Sequence, residues 1–202
     1  MAIDFEIPVK ERWTYQDYKN LTPPDSFGFE IIKGELVVSP APRPQHQWTS
    51  DELTGIIRTF SKQNNLGRVF SSPIDVVLGS STESENVVQP DILFIAQDRL
   101  NIITDTNISE APDLMVEILS PSSIRRDRSD KMRLYIEAGV KHYWIIDADQ
   151  RILEAFDLTG TVPIVEATLA DSDVFKPSIF PNLEISLKDL WYPEKEDGKK
   201  DD

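Results

Sequence analysis

The amino-acid sequence predicts a single α/β domain with a central mixed β-sheet flanked by helices. Three features support this class: short runs rich in β-branched residues, one long helical pattern, and a strand–helix–strand segment with short loops. The chain has 202 residues, 40% of them hydrophobic, and a chain of this length buries roughly 70% of its unfolded surface. We expect one domain over residues 1–192, with a lead-in at 1–27 that holds a short helix and a loop, and a charged disordered tail at 193–202.

The first half of the domain is expected to contain a hairpin, a helix and an antiparallel pair of strands. In the run FEIIKGELVVS, Lys33 and Gly34 separate two apolar stretches, so Gly34 is expected to supply the positive φ of a hairpin turn. Apolar residues at helical spacing predict a helix over 46–62. The β-branched runs at 68–78 and 87–96 are bounded by turn residues and predict the antiparallel pair.

The second half begins with a strand–helix–strand unit. The nearly uniform apolar run at 112–120 predicts a strand covered on both faces. Ser122 or Ser123 is expected to cap a helix that ends at Gly139, and a strand at 142–147 follows. Such a βαβ unit predicts two parallel strands joined by a right-handed crossover. Further elements are expected as strands at 151–157 and 162–169 and as a short helix starting at Ser186.

Composition excludes several kinds of chemistry. The chain has no cysteine and two histidines, so thiol nucleophiles, iron–sulfur clusters, cysteine-ligated zinc and multi-histidine metal sites are ruled out. A bound metal would need oxygen ligands. The net charge of −14 disfavours unspecific binding to nucleic acid, so a local basic patch would be required. The acidic start MAIDFEIPVKER and the lack of a long apolar run predict a cytoplasmic protein without a membrane partner.

Isolated acids in apolar strands are the strongest sign of a functional site. Glu117 is the single charge in LMVEILS, and an unpaired buried carboxylate is costly. It could instead face solvent on an edge strand or pair with an arginine. Asp91 is likewise the single charge in the apolar run VVQPDILFI, where Pro90 suits a strand start or a bulge. Asp75 in PIDVVL repeats the pattern, although a turn role is equally expected there.

Two acids on adjacent strands could hold one hard cation. Mg²⁺ usually binds one or two carboxylates, waters and a substrate phosphate. Asp91 and Glu117 would supply these carboxylates, which points to phosphodiester hydrolysis. A glycosidase with two carboxylates is the less favoured alternative, because no aromatic residue flanks either acid in the sequence.

The segment IRRDRSDKMR at 124–133 is the densest basic run of the chain. Its helix would start where the Glu117 strand ends, so backbone N–H groups and guanidinium groups could face a phosphate. The arginines expected to contact the nucleic-acid backbone are Arg125, Arg126 and Arg128. The alternative is a solvated helix face on which Asp127 and Lys131 form an i,i+4 pair. Helical spacing, however, places Lys131 beside the sheet, where it can point toward Glu117.

Three segments together resemble a known family. The order VQPDILFI, PDLMVEILSPSS and DKMRLYIEAGVKHYWIID is similar to the Uma-two family of endonucleases, in the PD-(D/E)XK restriction-endonuclease-like superfamily. The resemblance extends from about Phe29 to Leu190 and includes FEIIKGELVVSPAPRPQHQ and SSPIDVVL. It implies a restriction-endonuclease-like αβββαβ core, in agreement with the elements predicted above.

The resemblance also implies roles for individual residues. Asp91 matches the metal-binding aspartate and Glu117 the acid of (D/E)XK. Beyond these matches, the Ile118 carbonyl is a candidate for a further metal ligand. The motif lysine would stand at position 119, which is a leucine here. Lys131 from the next helix is the expected substitute.

Further residues are expected near the same site. His46 matches a histidine at the start of the first helix and could line the cleft, or could make a structural hydrogen bond. Tyr135, one turn after Lys131, is expected to line the cleft too, and His142 is expected to be structural.

The resulting prediction is a DNA endonuclease that uses Mg²⁺, with Mn²⁺ as a substitute, and Asp91, Glu117 and Lys131 as catalytic residues. A homodimer is expected, since a two-fold assembly suits cleavage of both strands. One alternative is a degenerate nuclease fold that binds nucleic acid or a protein without cleavage, which the acidic charge and Leu119 would favour. Another is hydrolysis of a different phosphate compound.

Overall fold

The computed structural model describes residues 7–21, 27–79 and 84–193. The predicted loop at the end of the lead-in, over 22–26, and the charged tail beyond Pro193 lie outside these residues. The α-helices are α1 Tyr15–Lys19, α2 Pro44–Gln63 and α3 Met132–Ala138. A π-helix spans Arg126–Lys131, and 3₁₀-helices span Gln97–Ile102 and Leu187–Leu190.

The strands are β1 Phe27–Ile32, β2 Glu35–Pro40, β3 Gly67–Ser71, β4 Val76–Val77, β5 Val87–Val88, β6 Ile92–Ala96, β7 Leu114–Ile118, β8 His142–Asp147, β9 Ile152–Asp157, β10 Ile164–Ala170, β11 Val174–Phe175 and β12 Ile185–Ser186. Six of them form the central sheet, in the order β10-β9-β8-β7-β6-β3. Strands β7 and β8 are parallel, and the other neighbours are antiparallel. The mixed sheet and the parallel βαβ unit predicted from the sequence are therefore confirmed.

A second sheet has the order β2-β1-β5-β4 and begins with the predicted hairpin. Lys33 and Gly34 both have positive φ in its turn, at 52° and 82°. The runs at 68–78 and 87–96, expected as two continuous strands, are each divided between the sheets. β3 pairs with β6 in the central sheet, whereas β4 pairs with β5 in the second sheet. Pro73 and Pro90 lie at the two breaks, where a residue without an N–H cannot continue a ladder.

Strand β7 is buried on both faces, as its composition predicts. Val116 and Ile118 face a core that includes Leu53 of α2. Met115 and Leu119 face the opposite core, which includes Tyr135 of α3. Because side chains alternate along a strand, Glu117 shares the α3 side with Leu119.

The helix after β7 differs from the regular helix that was expected. Helical structure begins at Ile124, just after Ser123, becomes π-helical from Arg126, and returns to α-helical geometry in α3. It ends at Gly139, whose φ of 86° suits a left-handed C-cap. No helix among the described residues is both long and apolar enough to cross a bilayer.

Candidate active site and metal centre

A cleft of about 850 Å³ lies between the β1–β2 hairpin, the start of α2 and the loop that follows β7. Its lining includes the side chains at the centre of the site: Glu30, His46, Asp91, Glu117, Asp127 and Lys131. These residues come from distant parts of the chain. The cleft is thus formed where the two sheets and two helices meet.

Asp91 and Glu117 are neighbours across two antiparallel strands. Ile92 of β6 pairs with Val116 of β7, so the next position in the register places Asp91 opposite Glu117. The Ile118 N–H donates a hydrogen bond of 2.7 Å to Asp91 Oδ2. Strands β6 and β7 are neighbours in the central sheet as expected, although Asp91 lies directly before β6 and not within it.

His46 holds the other side of Asp91. Its Nε2 lies 3.3 Å from Asp91 Oδ2, and both side chains are mostly buried. Burial opposes protonation of the imidazole, but the hydrogen bond to Asp91 and its negative charge outweigh that effect, and the pKa of His46 is raised. His46 lines the cleft as predicted and orients the carboxylate.

Lys131 is buried and surrounded by carboxylates. Its Nζ lies 2.8 Å from Glu30 Oε1, 2.9 Å from Glu117 Oε1 and 3.7 Å from Asp127 Oδ1. The expected approach to Glu117 is confirmed. The i,i+4 pair of Asp127 and Lys131 is also present, but it is buried, so the alternative of a solvated helix face is wrong. The three carboxylates raise the pKa of Lys131 although burial opposes the charge, so the ammonium stays protonated.

Tyr135 has a different place from the one predicted. It is fully buried behind Glu117 and is not part of the cleft lining, so the expected cleft-lining role is wrong. Its hydroxyl donates a hydrogen bond of 2.7 Å to Glu117 Oε1. Burial is the main cause that raises the pKa of Tyr135, so the hydroxyl remains a donor.

Glu117 is therefore held at one oxygen. Lys131 and Tyr135 both contact Oε1, and no hydrogen bond among the described residues engages Oε2. Burial raises the pKa of Glu117 well above its ordinary value, against the opposing effect of Lys131. A cation that enters the cleft would favour the ionised form.

Two acids of the site escaped the sequence analysis. Glu30 is buried in β1, and Asp127 is buried in the π-helix. Glu30 stands as a lone charge in FGFEII, which is the same signal that identified Glu117. The burial of Asp127 was not predicted, because its neighbours in the sequence are the arginines Arg126 and Arg128.

The three arginines expected to bind nucleic acid are in different environments. Arg126 lines the cleft, and its buried Nε has no hydrogen-bond partner among the described residues. Arg128 forms an ion pair with Glu154 on β9. Arg125 is exposed, and neither it nor Arg128 belongs to the cleft lining. Arg126 is the best placed of the three for a phosphate in the cleft.

Asp75 lies outside the cleft, so the expectation that it could line the site is wrong. It accepts hydrogen bonds of 2.8 Å from the Tyr18 hydroxyl and from Gln89 Nε2. Its side chain therefore contacts Tyr18 of α1 and not the cleft. His142, expected to be structural, lies 3.9 Å from Glu166 and also outside the cleft lining.

The donors at the cleft suit a hard cation. Among the described residues, no group of three or more His, Asp or Glu side chains has the geometry of a complete metal cage. Asp91 and Glu117 line the cleft and provide carboxylate oxygens of the kind that Mg²⁺ commonly takes, with water completing the shell. The residues present therefore fit a magnesium ion held by few protein ligands.

The fold and the cleft define a restriction-endonuclease-like α/β protein. The sequence model of the Uma2 family, described as "Putative restriction endonuclease", matches residues 15–188, and the chain belongs to this family. The resemblance noted in the sequence is confirmed. Family and fold together support a nuclease-type function.

A solved structure has the same fold. The crystal structure of a "putative nuclease belonging to DUF820" from Anabaena variabilis superposes with a TM-score of 0.71 at 22% sequence identity, and the alignment covers 89% of this chain and 97% of that one. Likeness at this identity establishes the fold. No curated protein matches the sequence.

Proposed function

We propose that this protein is a Mg²⁺-dependent endonuclease that hydrolyses DNA phosphodiester bonds in the cleft. One observation carries the proposal: Asp91, directly before β6, lies opposite Glu117 on β7 at the cleft, with the Lys131 ammonium 2.9 Å from Glu117. Two carboxylates beside a fixed cationic group form an arrangement that suits phosphoryl chemistry.

Asp91, Glu117 and the Ile118 carbonyl would hold the ion, with Mn²⁺ as a substitute for Mg²⁺. When bound, the ion would lower the pKa of a water nucleophile and neutralise charge that develops at phosphorus. The hydrogen bonds from Ile118 N–H and His46 keep Asp91 in place, and Tyr135 does the same for Glu117.

Lys131 and Arg126 would act on the phosphate. The Lys131 ammonium is fixed in its charged form, so its role is electrostatic stabilisation and not proton abstraction. Arg126 lines the cleft and would anchor the DNA backbone through its guanidinium group without reading the sequence. A homodimer would present two such clefts to the two strands of a duplex.

The proposal is tested by incubating purified protein with supercoiled plasmid and with labelled linear duplex in Mg²⁺, in Mn²⁺ and in EDTA. Cleavage is expected with either metal and not with EDTA. Asp91→Asn should abolish cleavage. Asp98→Asn makes the same change of charge at an exposed position near the other end of β6, so it should retain full activity.

Cleavage of DNA by Asp91→Asn at the wild-type rate would place the activity elsewhere. DNA binding by the wild-type protein without cleavage in either metal would instead identify a binding module. Light scattering of the protein alone and with duplex reports whether the dimer forms.

A further inference from the structure

We propose that Glu30 is a positioning residue that shares the charge of Lys131 and so leaves Glu117 available to a divalent cation. The inference rests on the proposed metal site but concerns a residue with no place in the motif that identified that site. Glu30 belongs to the hairpin of the second sheet, whereas Asp91 and Glu117 belong to the central sheet.

The geometry around Lys131 is a buried contact with three acids. Glu30 Oε1 is the nearest at 2.8 Å, Glu117 Oε1 follows at 2.9 Å, and Asp127 Oδ1 lies at 3.7 Å. The side chains of Lys131 and Glu30 are 4% and 9% exposed. At such burial, screening by water is weak, and each carboxylate has a large effect on the others.

The balance of charge explains why a second close carboxylate matters. If Lys131 contacted Glu117 alone, the ammonium would neutralise the carboxylate and compete with an incoming cation. With Glu30 and Asp127 also present, three carboxyl groups share one ammonium. When a divalent cation in the cleft favours ionisation of Glu117, Glu30 and Asp127 remain as partners of Lys131, and Glu117 and Asp91, which both line the cleft, are available to the cation.

Glu30 is held independently of Lys131. The backbone N–H of Gln89 donates a hydrogen bond of 2.9 Å to Glu30 Oε1. The Gln89 side chain donates 2.8 Å to Asp75 Oδ1 and 3.0 Å to the Tyr18 hydroxyl. Glu30 is therefore fixed from the second sheet, and it holds the ammonium between the two sheets.

The test compares Glu30→Gln with Asp75→Asn. Gln keeps the shape of Glu30 and an acceptor for the Gln89 N–H, and removes only the charge beside Lys131. Asp75→Asn also removes a carboxylate that contacts Gln89, but Asp75 has no contact with Lys131. Mn²⁺ binding to each full-length protein is measured by calorimetry in the absence of DNA.

We expect Glu30→Gln to weaken Mn²⁺ binding by about tenfold or more, because it removes one negative charge and lets Lys131 pair more fully with Glu117. Asp75→Asn should bind Mn²⁺ within about twofold of wild type. In DNA cleavage at saturating metal, Glu30→Gln should lower kcat and leave KM for DNA unchanged. Unchanged Mn²⁺ affinity in a folded Glu30→Gln protein would overturn the proposal.

A double variant separates positioning from a merely structural role. If Glu30 acts through Lys131, the loss of Mn²⁺ affinity caused by Glu30→Gln should be clearly smaller when Lys131→Met is already present, because only the direct loss of one charge then remains. A structural role would instead lower the unfolding midpoint and give the same loss in both backgrounds. An equal loss of Mn²⁺ affinity in both backgrounds would reject the proposal that Glu30 acts by positioning Lys131.

Asp127→Asn keeps the proposal testable if Glu30→Gln folds poorly. Because Asp127 lies farther from the ammonium, this variant should weaken Mn²⁺ binding in the same direction but less strongly. Wild-type affinity in Asp127→Asn would then count against charge sharing.

Failure of the inference and failure of the proposed function give different results. Wild-type protein that binds Mn²⁺, with a defect in Glu30→Gln but no cleavage of DNA, supports the role of Glu30 and rejects DNA cleavage. If wild-type protein cleaves DNA and the Glu30→Gln variant binds Mn²⁺ normally, the result supports DNA cleavage and rejects the role of Glu30. Wild-type protein without Mn²⁺ binding overturns both.

Discussion

The Nζ atom of Lys131 lies 2.9 Å from Oε1 of Glu117, although the two residues are 14 positions apart in the chain. Two residues after Glu117, where the superfamily motif has lysine, Leu119 is buried against the core on the α3 side. The ammonium therefore reaches the acid from the helix that follows the strand. In this chain the ammonium beside Glu117 is thus that of Lys131, and position 119 carries no charge.

Lys131→Met should lower the rate of DNA cleavage by on the order of 100-fold while metal binding is retained, because the stem remains and the charge is lost. The same change leaves three buried carboxylates without their ammonium, so it should destabilise the metal-free protein by about 3 kcal/mol or more. Single-turnover cleavage and urea unfolding measure the two effects.

The control for Lys131 is Lys176→Met. Lys176 forms an exposed ion pair with Glu184 at 2.6 Å. Exposed pairs contribute at most about 1 kcal/mol, so both cleavage and stability should change little. A Lys131→Met protein with the cleavage rate of this control would leave Lys131 with a structural role only.

Glu117→Gln should yield a folded protein that no longer cleaves DNA. Burial raises the pKa of Glu117, so its ionised form is unfavourable in the folded protein, and Lys131 still contacts Glu30 and Asp127 after the change. The midpoint of thermal unfolding without metal should therefore be equal to or above that of wild type. Added Mg²⁺ or Mn²⁺ should stabilise wild type more than the variant.

Marked destabilisation of Glu117→Gln would indicate that the ion pair with Lys131 outweighs the cost of burying the carboxylate. Cleavage at the wild-type rate by this variant would remove Glu117 from the catalytic residues.

Arg126→Ala should weaken DNA binding roughly tenfold and reduce the salt dependence of binding by about one phosphate contact. Arg126 lines the cleft, and its buried Nε has no hydrogen-bond partner among the described residues. Arg128→Ala is the matched comparison, because Arg128 pairs with Glu154 outside the cleft lining. It should leave DNA affinity unchanged and cost at most about 1 kcal/mol of stability. Fluorescence anisotropy in catalytically inactive Asp91→Asn protein, at several salt concentrations, measures both.

If Arg128→Ala weakened DNA binding more than Arg126→Ala, DNA would contact the face of the helix near β9. An equal loss of DNA affinity in the two variants would mean that the duplex contacts both faces of this helix.

Asp113 should make the fold sensitive to acid. Its Oδ2 accepts a hydrogen bond of 2.8 Å from the Ala96 N–H, and its Oδ1 lies 2.8 Å from Lys141 Nζ and 3.0 Å from Arg99 Nη1. Burial alone would raise the pKa of Asp113, but these partners lower it below its ordinary value of 3.8. The stabilisation is therefore present above pH 3.8 and lost as the pH falls through the lower pKa of the folded state.

Asp113→Asn should lower the free energy of unfolding at pH 7 by about 1.5–3 kcal/mol, because it removes the charge from these contacts. The difference from wild type should shrink at acid pH, where Asp113 of the wild type is protonated as well. Urea unfolding at pH 7 and near pH 3 checks this, with exposed Asp98→Asn as the control. A difference that stays constant with pH would exclude the carboxylate charge as its cause.

The local sequence pattern was sufficient to predict most helices and strands and two residues of the candidate site. The apolar run around Glu117 and the following helix identified the parallel βαβ unit, because burial on both faces leaves a clear record in composition. The lone acids Asp91 and Glu117 were found by the same logic, since an uncompensated charge in a buried strand is costly.

The tertiary structure decided which side chains meet. Glu30 and Lys131 are brought together by the packing of the hairpin sheet against the helix after β7, and their separation in the chain leaves no local pattern that records the contact. The division of two predicted strands between two sheets, at Pro73 and Pro90, likewise depends on which partners each half finds. Burial is recorded in the local composition, so the residue pattern located Asp91 and Glu117 as charges that need compensation. The groups that compensate them come from distant segments, so they could be identified only from the packing of those segments.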